Sequence, residues 1–78
     1  MTVKIYTTNH CPYCVIAKEF FKKNNVGYTE INVEEDEAAA EEMIEKSGQM
    51  GVPVIDIEGE IIVGFNRNAI EKALKAKQ

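Results

Sequence analysis

Apolar and polar positions alternate at the start of the chain. In "TVKIYTT", residues 2 to 8, Val3 and Ile5 are separated by polar neighbours, which predicts a strand. The period then changes. From residue 12 to about 24, Tyr13, Ala17, Phe20 and Phe21 fall on one side at helical spacing, and Asn24, Asn25 and Gly27 end that predicted helix. "YTEINV", residues 28 to 33, predicts a second strand. Residues 36 to 47 predict a second helix, with Asp36 as N-cap, Ala39, Ala40, Met43 and Ile44 on its inner face, and Gly48 just past its end. "VPVIDI", residues 52 to 57, predicts a third strand, its proline at the beginning where a missing N–H is tolerated. Glu58-Gly59 forms a two-residue turn into "EIIVGF", residues 60 to 65, and so a hairpin. A last helix is predicted from about Arg67 to Lys75. Asn66 is its N-cap, Ala69, Ile70, Ala73 and Leu74 are its buried stripe, and Lys72, Lys75 and Lys77 sit near the end that favours positive charge.

The order β-α-β-α-β-β-α makes this an α/β chain. A strand, a crossover helix and a second strand imply a right-handed parallel unit, and the hairpin must complete the sheet in antiparallel fashion. The expected architecture is a four-stranded mixed sheet with three helices on its faces. Seventy-eight residues, 1–78, make one domain with no linker, repeat or low-complexity segment. A domain this small buries only about 60% of its unfolded surface, so the core is modest.

Nine Lys and Arg against 13 Asp and Glu give a net charge of −4. That balance speaks against nucleic acid and against an anionic membrane surface as partners. The acidic run Glu34-Glu35-Asp36-Glu37, continued by Glu41, Glu42 and Glu45, is read as a solvated helix face in preference to an acidic docking site. No apolar run approaches the roughly 18 residues of a membrane-spanning helix, and "MTVKIYTTNH" lacks the apolar centre of a secretory signal. The expectation is a cytoplasmic monomer.

Both cysteines of the chain, Cys11 and Cys14, lie within "TTNHCPYCVIAKEF". A structural disulfide, half a metal site and a redox pair all fit two thiols. In a reducing compartment a structural bridge is disfavoured, and one closing over two residues removes little chain entropy. Zinc needs four ligands; His10 is the one histidine and there is no second Cys-x-x-Cys. A Cys-x-x-Cys directly after a strand in a βαβ pattern favours redox chemistry. Pro12 suits the first helical position, which makes Cys11 the N-cap. The free N–H groups of Tyr13 and Cys14 and the positive helix end should then stabilise a Cys11 thiolate. Cys14, one turn deeper on the same face, is placed to attack a mixed disulfide on Cys11.

Cys11-Pro12-Tyr13-Cys14, reached from the strand "KIYTT", resembles the active site of the glutaredoxins, within the thioredoxin fold. The resemblance covers nearly the whole chain and includes "EEMIEKSGQMGVPVIDIEGEIIVGF" with its Val52-Pro53. It implies sheet order 2-1-3-4, a cis peptide at Val52-Pro53, and a backbone at Val52 that pairs with an extended thiol substrate. It also implies a dithiol–disulfide oxidoreductase, with Cys11 as nucleophile, Cys14 as resolving thiol, no bound cofactor or metal, and glutathione as reductant. Its substrates would be disulfide-containing or glutathionylated proteins.

The chain departs from that pattern in its binding residues. Many glutaredoxins carry a lysine just before the active-site loop to meet a glutathione carboxylate; Thr7-Thr8-Asn9-His10 stand here. The loop before the proline has Gln49 and Met50 where Arg or Lys is frequent. A Gly-Gly followed by an acidic pair is replaced by Val63-Gly64-Phe65-Asn66-Arg67, of which Gly64 and a helix N-terminus at Asn66 remain. The implied substrate or glutathione contacts are Pro12, Tyr13, Gln49, Val52, Pro53, Gly64, Phe65, Asn66 and Arg67. The "GF" after the hairpin is similar to small glutaredoxin-like redoxins that thioredoxin reductase reduces and that serve ribonucleotide reductase, which gives the alternative electron source. A metal- or cluster-binding module is the third reading. His10 is read as an exposed loop residue in preference to a thiolate-stabilising cation. Val15 and Ile16 lie off the buried stripe, as scattered surface aliphatics or a small contact patch.

Overall fold

The computed structural model describes residues 2–76, and Lys77 lies outside them. Seven elements follow in the expected order: β1 (Val3–Thr7), α1 (Pro12–Lys23), β2 (Thr29–Asn32), α2 (Glu37–Ser47), β3 (Val54–Ile57), β4 (Glu60–Val63) and α3 (Arg67–Ala76). One four-stranded sheet has the order β2-β1-β3-β4. β1 pairs parallel with β2 and antiparallel with β3, and β3 pairs antiparallel with β4. This is the thioredoxin-like arrangement.

The strands are shorter than their apolar patterns. Pro53 has no N–H to give to a ladder, and β3 starts after it, at Val54. At the end of β4, Gly64 takes a left-handed φ of 77° and turns Phe65 out of the strand, although the Gly64 N–H still bonds the Pro53 carbonyl at 2.8 Å. The hairpin turn has positive φ at both Glu58 (50°) and Gly59 (94°), and the Asp56 carboxylate accepts from the Gly59 N–H at 2.8 Å. Asn24 and the left-handed Asn25 end α1, the Asn24 amide reaching back to the Phe20 carbonyl at 2.8 Å. Asp36 and Asn66 cap their helices through the N–H groups of Ala39 and Ala69, and Gly48 ends α2 with φ 74°.

Two cores lie on opposite faces of the sheet. On one, Val3, Ile5, Ile55, Ile57 and Ile62 pack against Ala17 and Phe21 of α1 and Ile70, Ala73 and Leu74 of α3. On the other, Tyr6 and Val54 pack against Met43 of α2, with Ile31, Val33, Val52 and Ile61 around them. A central strand covered on both faces has no solvent side, which is why Tyr6 and Thr7 are as buried as Ile5.

The helix faces need two corrections. In α1 the buried residues are Cys14, Ala17 and Phe21; Tyr13 is 63% exposed and Phe20 only half-buried. The helix carries two adjacent apolar stripes, and the one through Cys14 faces the sheet. In α2, Ala39 and Met43 are buried, whereas Ile44 is exposed, because one narrow side of this helix meets the sheet.

The acidic run does not form one helix face. Glu34 and Glu35 precede α2, Asp36 caps it, and Glu42 is tied to Tyr6 and Lys46. Among the described residues no helix is long and apolar enough to cross a membrane.

Candidate active site

The register fixes where the site can lie. Tyr6 pairs with Val54 across the antiparallel β1–β3 ladder, so Pro53 stands beside the end of β1, the end from which the chain runs to Cys11. The Gly64 bond to Pro53 brings the start of the β4–α3 loop to the same edge. Three loops therefore converge there: residues 8–11, 48–53 and 64–66.

Cys11 caps α1, with extended backbone (φ −134°, ψ 96°) and Pro12 at the first helical position. Its Sγ accepts the Cys14 N–H at 3.2 Å. No bond from the Tyr13 N–H accompanies it; the Cys14 and Val15 N–H groups also reach the Cys11 carbonyl, at 3.1 and 3.2 Å. Cys11 is half-buried and Cys14 is 2% exposed. The two are joined in a disulfide, with Cα atoms 5.2 Å apart. The sulfur that solvent reaches is thus held by a helix N–H, and the second sulfur lies beneath it within bonding reach.

The approach loop is fastened from the side. The Glu34 carboxylate receives both the backbone N–H and the side-chain amide of Asn9, each at 3.1 Å. Asn32 donates to the Asn9 oxygen at 2.7 Å and accepts the Glu34 N–H at 2.9 Å. Sequence reasoning missed this clasp, because its members sit 23 to 25 residues apart with no periodic signal. Thr7 is buried and donates to Glu30 at 2.9 Å; Lys18 bonds the same carboxylate at 3.0 Å and, with Thr7, holds it below its usual range.

The other expected site residues gather at this edge with their polar groups mostly engaged. Val52 is half-buried, Pro53 is buried, and the peptide between them is cis. The Gln49 amide folds onto its own loop, donating to the Gly51 carbonyl at 2.9 Å and accepting the Gly51 N–H at 2.8 Å. Phe65 packs edge-on against Phe20, centroids 5.8 Å apart. Arg67 lies over the Phe20 ring at 5.7 Å and bonds Glu71 at 3.0 Å, and the Asn66 side chain caps Ala69 at 3.1 Å. Pro12, Tyr13, Val15, Ile16, His10 and Met50 are exposed. Among the described residues, no three of His, Cys, Asp and Glu are grouped to hold a metal ion.

Residues 3–62 match the family model for glutaredoxin. An uncharacterized glutaredoxin-like 8.6 kDa protein of a rubredoxin operon in Clostridium pasteurianum is 47% identical, covering 94% of this chain and 97% of its own. The crystal structure of a variant of a thioredoxin-like protein superposes with a TM-score of 0.88 at 36% identity, covering 94% of each chain. The glutaredoxin-like NrdH-redoxin of Escherichia coli, described as having a thioredoxin-like activity profile, superposes with a TM-score of 0.83 at 28% identity over 92% of this chain and 93% of its own. With its cysteine pair at the head of α1 and a family match over most of its length, the protein belongs to the glutaredoxin family of thiol–disulfide oxidoreductases.

Proposed function

We propose that the protein reduces disulfides by a two-thiol exchange, with Cys11 as nucleophile and Cys14 as resolving thiol. The observation that carries this reading is the layered pair: Cys11 Sγ at the helix cap on the Cys14 N–H, and Cys14 buried directly beneath. A helix N-terminus favours a thiolate over a thiol, and the thiolate is the attacking species.

The Cys11 thiolate attacks one sulfur of the substrate disulfide. The substrate S–S bond breaks, a Cys11 mixed disulfide forms, and the other substrate sulfur leaves as a thiolate that takes a proton from water. Cys14 gives its proton to water and attacks Cys11 Sγ, breaking the mixed disulfide and releasing the second substrate thiolate, which takes a proton from water in turn. The substrate has gained two electrons, and the enzyme holds the Cys11–Cys14 disulfide. The backbone of Val52, next to the buried Pro53, offers main chain to an extended substrate at the same edge, and Tyr13 stands exposed beside the nucleophile.

The electron donor this surface supports best is a protein dithiol, that of a flavoprotein thioredoxin reductase, with glutathione as the alternative. The Gln49 amide is closed on Gly51, Arg67 is paired with Glu71, and the Asn66 oxygen is taken by its helix. To reach the N–H groups of Gly51 and Ala69 a glutathione carboxylate would have to displace the Gln49 and Asn66 oxygens, and the negative charge of Glu71 stands beside Arg67. The likeness to the NrdH-redoxin supports the same choice. A peptide disulfide turned over with NADPH and thioredoxin reductase, and slowly with glutathione and glutathione reductase, is the expected result. The reverse order of rates would sink the choice of donor and leave the two-thiol mechanism standing.

A further inference from the structure

The loop between α2 and the Val52–Pro53 bond holds itself in shape through one side chain. Residues 48–53 carry no regular backbone pairing before β3, and a loop of this kind would ordinarily sample many conformations. Its entry is secured: Ser47 Oγ lies 2.7 Å from the Met43 carbonyl, 3.0 Å from the Gln49 carbonyl and 3.3 Å from the Gln49 N–H. Its exit is secured by the Gly64 bond to Pro53. Between them the Gln49 amide makes a closed pair with Gly51, one bond given and one accepted, so the three residues 49–51 form a braced ring with Met50 at its tip, 77% exposed.

Gly51 fits this arrangement for a specific reason. A Cβ there would stand 2.8 Å from the Gln49 oxygen, closer than real Cβ contacts come, so any side chain at 51 makes the flexible end of Gln49 shift out of its place on Gly51. The φ of Gly51 is not left-handed, so its backbone accepts alanine and the amide is what the substitution disturbs. The pairing thus joins two positions that can be perturbed independently.

We infer that Gln49 is a positioning residue: its amide braces residues 49–51 and so pre-orders the backbone at Val52 against which a peptide substrate lies. This rests on the two-thiol reading above. A braced loop binds a peptide without first being ordered, so its loss weakens reaction with extended substrates. A small disulfide that needs only the Cys11 sulfur is indifferent to it.

The test compares pre-reduced wild type, Gln49→Ala, Gly51→Ala and the double variant. Each is reacted with a peptide disulfide and with the small aromatic disulfide dithiobis-nitrobenzoate. Each single variant is expected to lose about fivefold in rate on the peptide, the worth of one to two net hydrogen bonds at the weak, exposed end of their range. Its rate on the small disulfide should match wild type. The double variant should be no slower than either single one, because expelling the amide and deleting it remove the same contact. Unchanged peptide rates, equal losses on both disulfides, or additive losses each overturn the inference while leaving the two-thiol reading intact. A wild type inert toward peptide disulfides overturns both.

Discussion

Cys14→Ser is expected to stop turnover of a protein disulfide and to accumulate a mixed disulfide between substrate and Cys11, visible as a mass increase in the intact protein. Its size follows from geometry. An external thiol at about 1 mM would have to replace a neighbour whose effective concentration, in well-placed intramolecular pairs, reaches about 10^5 M, so a loss of at least about a thousandfold is a conservative figure. Cys14 is buried under Cys11 and its own N–H lies on Cys11 Sγ, so serine, nearly the same size, leaves the cap in place. The first exchange should therefore run at close to the wild-type rate. Cys11→Ser should lose both steps, because a hydroxyl at neutral pH is not a competent nucleophile here. Undiminished turnover by Cys14→Ser with glutathione present would remove the resolving role and make glutathione the donor.

That prediction rests on features the sequence carried locally. Cysteine after a strand, proline next and a second thiol three residues on specify a cap, a first turn and a buried partner within four residues. The Glu58-Gly59 turn and the caps at Asp36 and Asn66 were legible for the same reason: each is settled by contacts within three residues. The helix faces were less so. Tyr13 and Phe20 form one stripe of α1, and Cys14, Ala17 and Phe21 form the next, one residue around. Periodicity cannot choose between neighbouring stripes when cysteine is read as chemistry and not as core. The contacts that complete the site were not legible at all. The Asn9–Glu34 clasp and the folded amide of Gln49 depend on where loops end up in space. A glutamine placed where the family resemblance implied a ligand contact bonds its own backbone instead.

The second large effect is on stability, and it lies away from the thiols. Lys46→Met is expected to lower the melting temperature by about 8–16 °C, from a loss of about 2 kcal/mol in a domain of this size. The Lys46 ammonium has three protons and three oxygen acceptors: Asp56 at 2.9 Å, Glu42 at 3.0 Å and the Tyr6 hydroxyl at 3.1 Å. Tyr6 in turn donates to Glu42, and Asp56 accepts the hairpin N–H of Gly59. One cation thus ties α2 to the two central strands. Fully buried pairs lose about 3–5 kcal/mol when one partner goes, and exposed ones about 0–1. With the Asp56 side chain 11% exposed and that of Lys46 30%, an intermediate value is expected.

The pH dependence of melting checks the cause. The hydrogen bonds that Lys46 donates to Asp56 and then to Tyr6 raise its pKa above the ordinary 10.5, and burial, then the bond to Glu42, raises that of Tyr6 above 10.0. A raised pKa stabilises below the unfolded value and is lost as pH climbs through the folded one. The Glu42 carboxyl is lowered from 4.5 by Tyr6 and then Lys46, so its share is present above 4.5 and lost on acidification. Wild type should therefore melt at a constant temperature from about pH 5 to 9 and fall off on both sides. Lys46→Met should start lower and fall less steeply in alkali, because only the Tyr6 part of that limb remains. It should still react with a small disulfide at the wild-type rate at 25 °C, since none of its partners touches a sulfur. A melting temperature within about 3 °C of wild type would show that methionine packing compensates for the lost ion pairs, as it does in some buried pairs, and the network would then serve α2 placement without stabilising the fold.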